Sequence, residues 1–175
     1  MCRKDHESCT SVLFRKEDIL QKYHKNENQM IIEKAAELVD NGRAGTFSRI
    51  VEIVQFAKMM NYKKIGLAYC YGMECDAKNL QAIFTDLGLV VIGVSCSVGG
   101  LLQSEVNFNS CIHSVSCNPI GQAEQLNEEY VDLTIVMGIC LGHDILLNRN
   151  LKMDTTTLVV KDRVYNHNPI KFLEK

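Results

Sequence analysis

A three-layer α/β fold around a mostly parallel, doubly wound sheet is what this sequence predicts, and three observations predict it. From residue 64 onward, short apolar runs rich in β-branched residues alternate with segments of helical periodicity. Several of those runs are apolar on both faces, as strands covered by helices on two sides are. The connections are long enough to hold the helices that parallel strands require. Right-handed crossovers then lead to Rossmann-like or flavodoxin-like winding, preceded here by two N-terminal helices.

The elements follow in order. Residues 1 to 27 are polar and show no sustained period, so they read as an N-terminal arm; residues 28 to 175 read as a single α/β domain. "MIIEKAAELVDNG" (30–42) has apolar residues at helical spacing and a stop at Asn41-Gly42. "TFSRIVEIVQFAKMMNY" (46–62) repeats the pattern, with Thr46 or Ser48 able to cap it. "KIGLAYC" (64–70) is the first strand, and "ECDAKNLQAIFTDLG" (74–88) is an amphipathic helix stopped at Gly88. "LVVIGVSC" (89–96), an unbroken apolar run, reads as a central strand. A loop containing Gly99 and Gly100 leads to "CNPIGQAEQLNEEY" (117–130), where Asn118 caps a helix and Pro119 fits its first turn. "VDLTIVMGIC" (131–140) is a buried strand, "GHDILLNRN" (142–150) a short helix capped by Asp144, and "TTTLVVKD" (155–162) a last strand.

Composition narrows the function. The 175 residues are 46% hydrophobic and 23% charged, with a formal charge of -2, so neither nucleic acid nor an anionic membrane is an expected partner. No apolar run approaches the ~18 residues of a membrane span, and "MCRKDHESCT" carries no hydrophobic signal region. The chain therefore reads as cytoplasmic. A small-molecule ligand is the expected partner, with a homo-oligomer left open.

Eight cysteines are the departure from an ordinary composition. In a reducing compartment they point to metal binding or thiol chemistry instead of a disulfide framework. Cys70, Cys96 and Cys140 each end a strand, and Cys117 stands just before a capped helix start. In a parallel sheet all strand C-termini share one edge, where open α/β folds bind ligands. Four thiols on that edge suit a tetrahedral zinc or an iron–sulfur cluster. The opposing reading is that each is a small apolar filler in the core. Cys75, Cys111, Cys2 and Cys9 have weaker positions and read as structural or surface cysteines.

His143 follows Cys140 by three residues and reads as a metal ligand, a proton donor, or a helix-start histidine bonded to backbone. Asp162 and Arg163 end the last strand on the same edge, where they can bind a polar ligand or form an ion pair; with Asn118 they are the candidate ligand-binding residues. His167 falls in a turn. "VGG" (98–100) lacks the rest of a dinucleotide fingerprint, and no P-loop, HExxH or Ser–His–Asp signature is present.

"KKIGLAYCYG", "CNPIGQAEQLN", "DLTIVMGICLGHD" and "VVKDRVYNHNP" together resemble the bacterial and archaeal domain-of-unknown-function family 1847, whose members are commonly labelled predicted metal-binding proteins. The resemblance covers roughly residues 46 to 170. It extends to Cys70, Cys96, Cys117, Cys140 and His143, and to Asn118, Pro119, Asp144, Asp162, Arg163, His167 and Asn168. The chain departs from the family at its start: relatives carry a longer cysteine-rich leader, whereas only Cys2 and Cys9 stand here.

The leading expectation is a cysteine-ligated metal centre, iron–sulfur ahead of zinc, acting on a small sulfur-containing or redox substrate. Three of Cys70, Cys96, Cys117 and Cys140 would hold the cluster, and the fourth would face substrate with His143. The alternative is a metal-free thiol enzyme or redox sensor, with Cys117 or Cys140 as nucleophile and His143 as base. A third is a small-ligand-binding regulatory module that uses Asp162 and Arg163.

Overall fold

A computed structural model describes residues 14–174. They group into two compact units that part between Phe47 and Ser48. The first holds two helices, α1 (Lys16–Tyr23) and α2 (Asn26–Val39), which touch each other and carry no buried residue. The arm boundary expected at residue 27 falls at the start of α2. Cys2 and Cys9 lie outside the described residues.

The second unit begins with α3 (Arg49–Met59), capped by Ser48, whose side chain accepts from the Val51 amide. It continues through β1 (Lys64–Tyr69), α4 (Glu74–Asp86), β2 (Val90–Ser95), the single turn α5 (Gln103–Val106), α6 (Pro119–Glu128), β3 (Leu133–Met137), α7 (Leu141–Asn150) and β4 (Asp154–Val159). All four strands are parallel, in the order β2-β1-β3-β4. This is the flavodoxin-like order, with its switch point between β1 and β3. The path reverses direction at β2, so right-handed crossovers place α4 on one face and α6 and α7 on the other. α6 packs on α7, as that arrangement requires. The predicted three-layer α/β class is the class observed.

Residue chemistry explains the layering. β3 buries all five residues of "LTIVM", and β1 buries "IGLA" between two half-exposed ends. Gly66 of β1 lets α6 lie close: a Cβ there would stand 2.9 Å from Leu126 Cδ2 and 3.0 Å from Val131 Cγ2. The core then runs from Ile53, Val54 and Ala57 of α3 through both central strands to Phe84, Leu126 and Leu147.

One strand sits elsewhere than expected. "LVVIGVSC" reads as central, yet β2 is an edge strand with Val90 exposed. The helix α4 covers one face of it, so its apolar run reflects that cover and not strand neighbours on both sides. The helix cap also moves: Cys140, not Asp144, is the N-cap of α7. Asp144 lies one turn inside, where its amide donates to the Cys140 carbonyl at 2.8 Å and its Oδ1 accepts from Asn148.

Candidate functional site

Four segments leave the C-terminal edge of the sheet and each delivers a thiol. Cys70 follows β1 and is buried; its amide donates to the Met137 carbonyl of β3, which fixes it at the switch point. Cys96 follows β2, is 2% exposed, and donates its amide to the Tyr69 carbonyl at 2.9 Å. Cys117 is half-buried immediately before α6, and Cys140 is half-buried at the start of α7.

The closest pair is Cys96 and Cys117, whose sulfurs are 3.5 Å apart. The backbone makes this approach: the Asn118 amide donates to the Cys96 carbonyl at 2.6 Å. The Asn118 side chain is engaged as well, accepting from the Gly121 amide as helix cap and donating to the Val98 carbonyl at 3.1 Å. Asn118 therefore joins the two cysteine segments. Burial pushes the Cys96 thiol up to about 12, aided by its contact with Cys117 and opposed by the Tyr71 amide that donates to its sulfur at 3.3 Å.

The other two thiols meet cations. Lys161 Nζ lies 3.4 Å from Cys70 Sγ, and Arg163 Nη2 lies 3.1 Å from Cys140 Sγ. The Arg163 guanidinium is held further up than usual, first by its hydrogen bond to Cys140 and then by the charge of that sulfur, with Cys70 and Cys117 adding to it. Arg163 does not pair with Asp162. The Asp162 carboxylate accepts instead from the Val164 and Tyr165 amides at 2.8 and 2.9 Å, building the turn that follows β4. His167 closes the same turn, its Nδ1 accepting from the Asp162 amide and lying 3.1 Å from the Val160 carbonyl.

His143 stands in the first turn of α7, its Nδ1 buried and without a hydrogen-bond partner among the described residues. Cys75 and Cys111 are exposed, on α4 and in the loop before α6. No group of three His, Cys, Asp or Glu donors among the described residues is arranged to hold a metal ion. The four sulfurs thus occupy one edge as one close pair and two cation-paired thiols, without surrounding a common point. No helix among the described residues is long and apolar enough to cross a membrane.

Two further residues, Gln122 and Lys161, belong to the site. Gln122, fully buried on α6, donates through Nε2 to the carbonyls of Tyr69 and Val94 and so ties the C-terminal ends of β1 and β2 together. Lys161 had a usable signal: in extended chain, positions i and i+2 share a side, so Lys161 and Arg163 face the same way. A cleft of ≈ 450 Å³ opens beside Cys96, lined by Tyr69, Tyr71, Glu74, Ser95, Ser97 and Val115.

Uncharacterized protein MJ0455 of Methanocaldococcus jannaschii is 44% identical over 153 residues, which is 86% of this chain and 78% of that protein. No solved structure matches the chain at a significant level. A family profile described as Protein of unknown function (DUF1847) matches residues 8–158, and the chain belongs to that family.

Proposed function

We propose that the chain carries a thiol-based redox centre at the C-terminal edge of its sheet, with Cys96 and Cys117 as the exchanging dithiol. The observation that carries this reading is the 3.5 Å approach of the two sulfurs, made by segments that the backbone holds together. That distance is about 1.5 Å longer than a disulfide bond, a gap that side-chain rotation can close. Cys117, the more exposed of the two, is the attacking sulfur. Cys96 keeps its proton at neutral pH and acts second, as the resolving thiol. The test is mild oxidation of the reduced chain followed by peptide mapping. A Cys96–Cys117 linkage, lost in Cys117→Ser, is the expected result. Cross-links that leave both of these cysteines as free thiols would remove the reading.

A second reading keeps a cysteine-ligated metal, iron–sulfur or zinc, at the same edge. It is favoured by the convergence of Cys70, Cys96, Cys117 and Cys140 from four separate segments, with Arg163 responding to three of them. As the side chains stand, those residues do not fit an ion: Cys70 and Cys140 face Lys161 and Arg163, and no three donors share a point. Anaerobic purification with iron, sulfide and zinc analysis separates the two readings. Stoichiometric metal, lost on replacing any one of the four cysteines by serine, would favour the metal; a metal-free protein that still forms the Cys96–Cys117 bond excludes it.

A further inference from the structure

We propose that the partner exchanged at Cys96 and Cys117 is a small anionic disulfide, whose negative groups are bound by Lys161 and Arg163. The inference rests on the dithiol reading and adds a substrate class to it.

Lys161 and Arg163 project two positive charges onto the thiol edge, each within reach of a sulfur. Among the described residues neither is in an ion pair with a carboxylate. Asp162, the acid between them in sequence, has its Oδ1 engaged by two backbone amides. Glu74, the acid that lines the neighbouring cleft, is held by Lys78 at 2.8 Å. The edge therefore presents two cations that no carboxylate pairs among the described residues, at the place where open α/β sheets bind ligands. Arg163 responds to Cys117 as well as to Cys140 and Cys70, so its field reaches the dithiol. A guanidinium offers a fork of donors that matches a carboxylate or sulfonate, and a lysine adds a point charge beside it. A neutral or cationic disulfide would bring neither cation a carboxylate or sulfonate to bind.

The chemistry balances without another reactant. The Cys117 thiolate attacks one sulfur of R–S–S–R, forming Cys117–S–S–R and expelling RS⁻, with the cysteine proton passing to solvent. Cys96 then gives up its proton and attacks the Cys117 sulfur of the mixed disulfide, and the second RS⁻ leaves. The protein ends as the Cys96–Cys117 disulfide, oxidised by two electrons. The substrate ends as two thiols after each RS⁻ takes a proton.

A charge series of alkyl disulfides tests this on the full, reduced chain. The probes are 3,3′-dithiodipropionate (anionic), 2-hydroxyethyl disulfide (neutral) and cystamine (cationic), each rate being divided by that of the uncharged thiol 2-mercaptoethanol with the same reagent. The readout is formation of the Cys96–Cys117 bond by quenched peptide mapping. The expected result is a corrected rate at least about tenfold higher for the anionic probe than for the cationic one, shrinking with added salt. Arg163→Gln, at an exposed position, should reduce that ratio, and Arg163→Gln with Lys161→Met should abolish it. Equal corrected rates, or a ratio that survives in the double variant, overturn the anion inference and leave the dithiol reading standing if the bond forms. No Cys96–Cys117 bond with any probe overturns both.

Discussion

The backbone amide of Asn118 donates to the carbonyl of Cys96 at 2.6 Å, so the residue after one cysteine grips the residue that carries the other. With the side chain capping α6 and holding the Val98 carbonyl, one asparagine sets the geometry of the dithiol. Asn118→Ala removes the side-chain bonds and keeps the amide. The expected cost is about 1 kcal/mol from the lost cap. Closure of the Cys96–Cys117 bond should also slow, because the Val98 segment is no longer tied to the helix start. Urea unfolding and the oxidation rate measure the two effects separately, and an unchanged rate would argue that the backbone bond alone suffices.

Cys96 gives the protein a predictable response to alkali. Burial holds its thiol up at about 12, whereas an unfolded cysteine titrates near ~8.5. The folded state keeps a proton that the unfolded chain gives up above that value. This contribution to stability is therefore complete below ~8.5 and is lost as pH rises from there toward about 12. Thermal unfolding across pH 7 to 11 should show a decline in Tm that Cys96→Ala reduces. Alkylation of Cys96 should accelerate by about tenfold per pH unit over the same range, following its thiolate fraction.

Gln122 should matter more than its neutral side chain suggests. It is fully buried and donates to the carbonyls of Tyr69 and Val94, near the ends of two adjacent strands. Gln122→Leu withdraws these bonds and should cost about 1 kcal/mol, their net worth, because the Tyr69 carbonyl keeps the Cys96 amide and the buried Gln122 Oε1, without a partner among the described residues, is removed as well. Denaturant midpoints measure this. Faster labelling of Cys96 in the same variant would show that the loss loosens the thiol edge itself, since Tyr69 also accepts from the Cys96 amide.

Gly138 is the chain's exit from β3 toward Cys140. Its φ is +66°, and a Cβ there would collide with the Met73 sulfur. Gly138→Ala should therefore lose about 1–3 kcal/mol through backbone strain plus crowding. Met73→Ala in the same background should return part of the crowding cost and none of the strain. A fully neutral Gly138→Ala would mean that the turn before Cys140 can take another conformation.

Much of this architecture is legible in the sequence because layers write periodicity. "KIGLAYC" and "VDLTIVMGIC" are apolar on both faces and prove to be the two central strands. "LVVIGVSC" looks the same and is an edge strand, since helix cover alone can select apolar residues and says nothing of how many strands lie beside it. The positions of the thiols are legible for a similar reason: strand ends of a parallel sheet share an edge, so Cys70, Cys96 and Cys140 had to lie near one another. What each thiol touches is not written locally. Lys161 reaches Cys70 across 91 positions of sequence, and Gln122 reaches strand ends from a helix on another segment. Asp144 has the right chemistry for a cap, but the helix begins three residues earlier and its carboxylate turns to Asn148.

The segment from residue 97 to residue 116 has both of its ends at the dithiol and is pinned midway by the Leu102–Val115 bridge, a few backbone bonds and the Ser104–His113 and Ser116–Gln103 side-chain contacts. It exposes Phe108 almost completely, with Ile112 and Val115 beside it in sequence. Joining Cys96 to Cys117 would convert this flap into a covalently closed ring, worth about 3 kcal/mol against unfolding by loop-closure entropy. The two electrons held at the sheet edge would then double as a clasp: the reduced protein keeps an open-ended apolar flap, and the oxidised one presents the same residues on a fixed hoop.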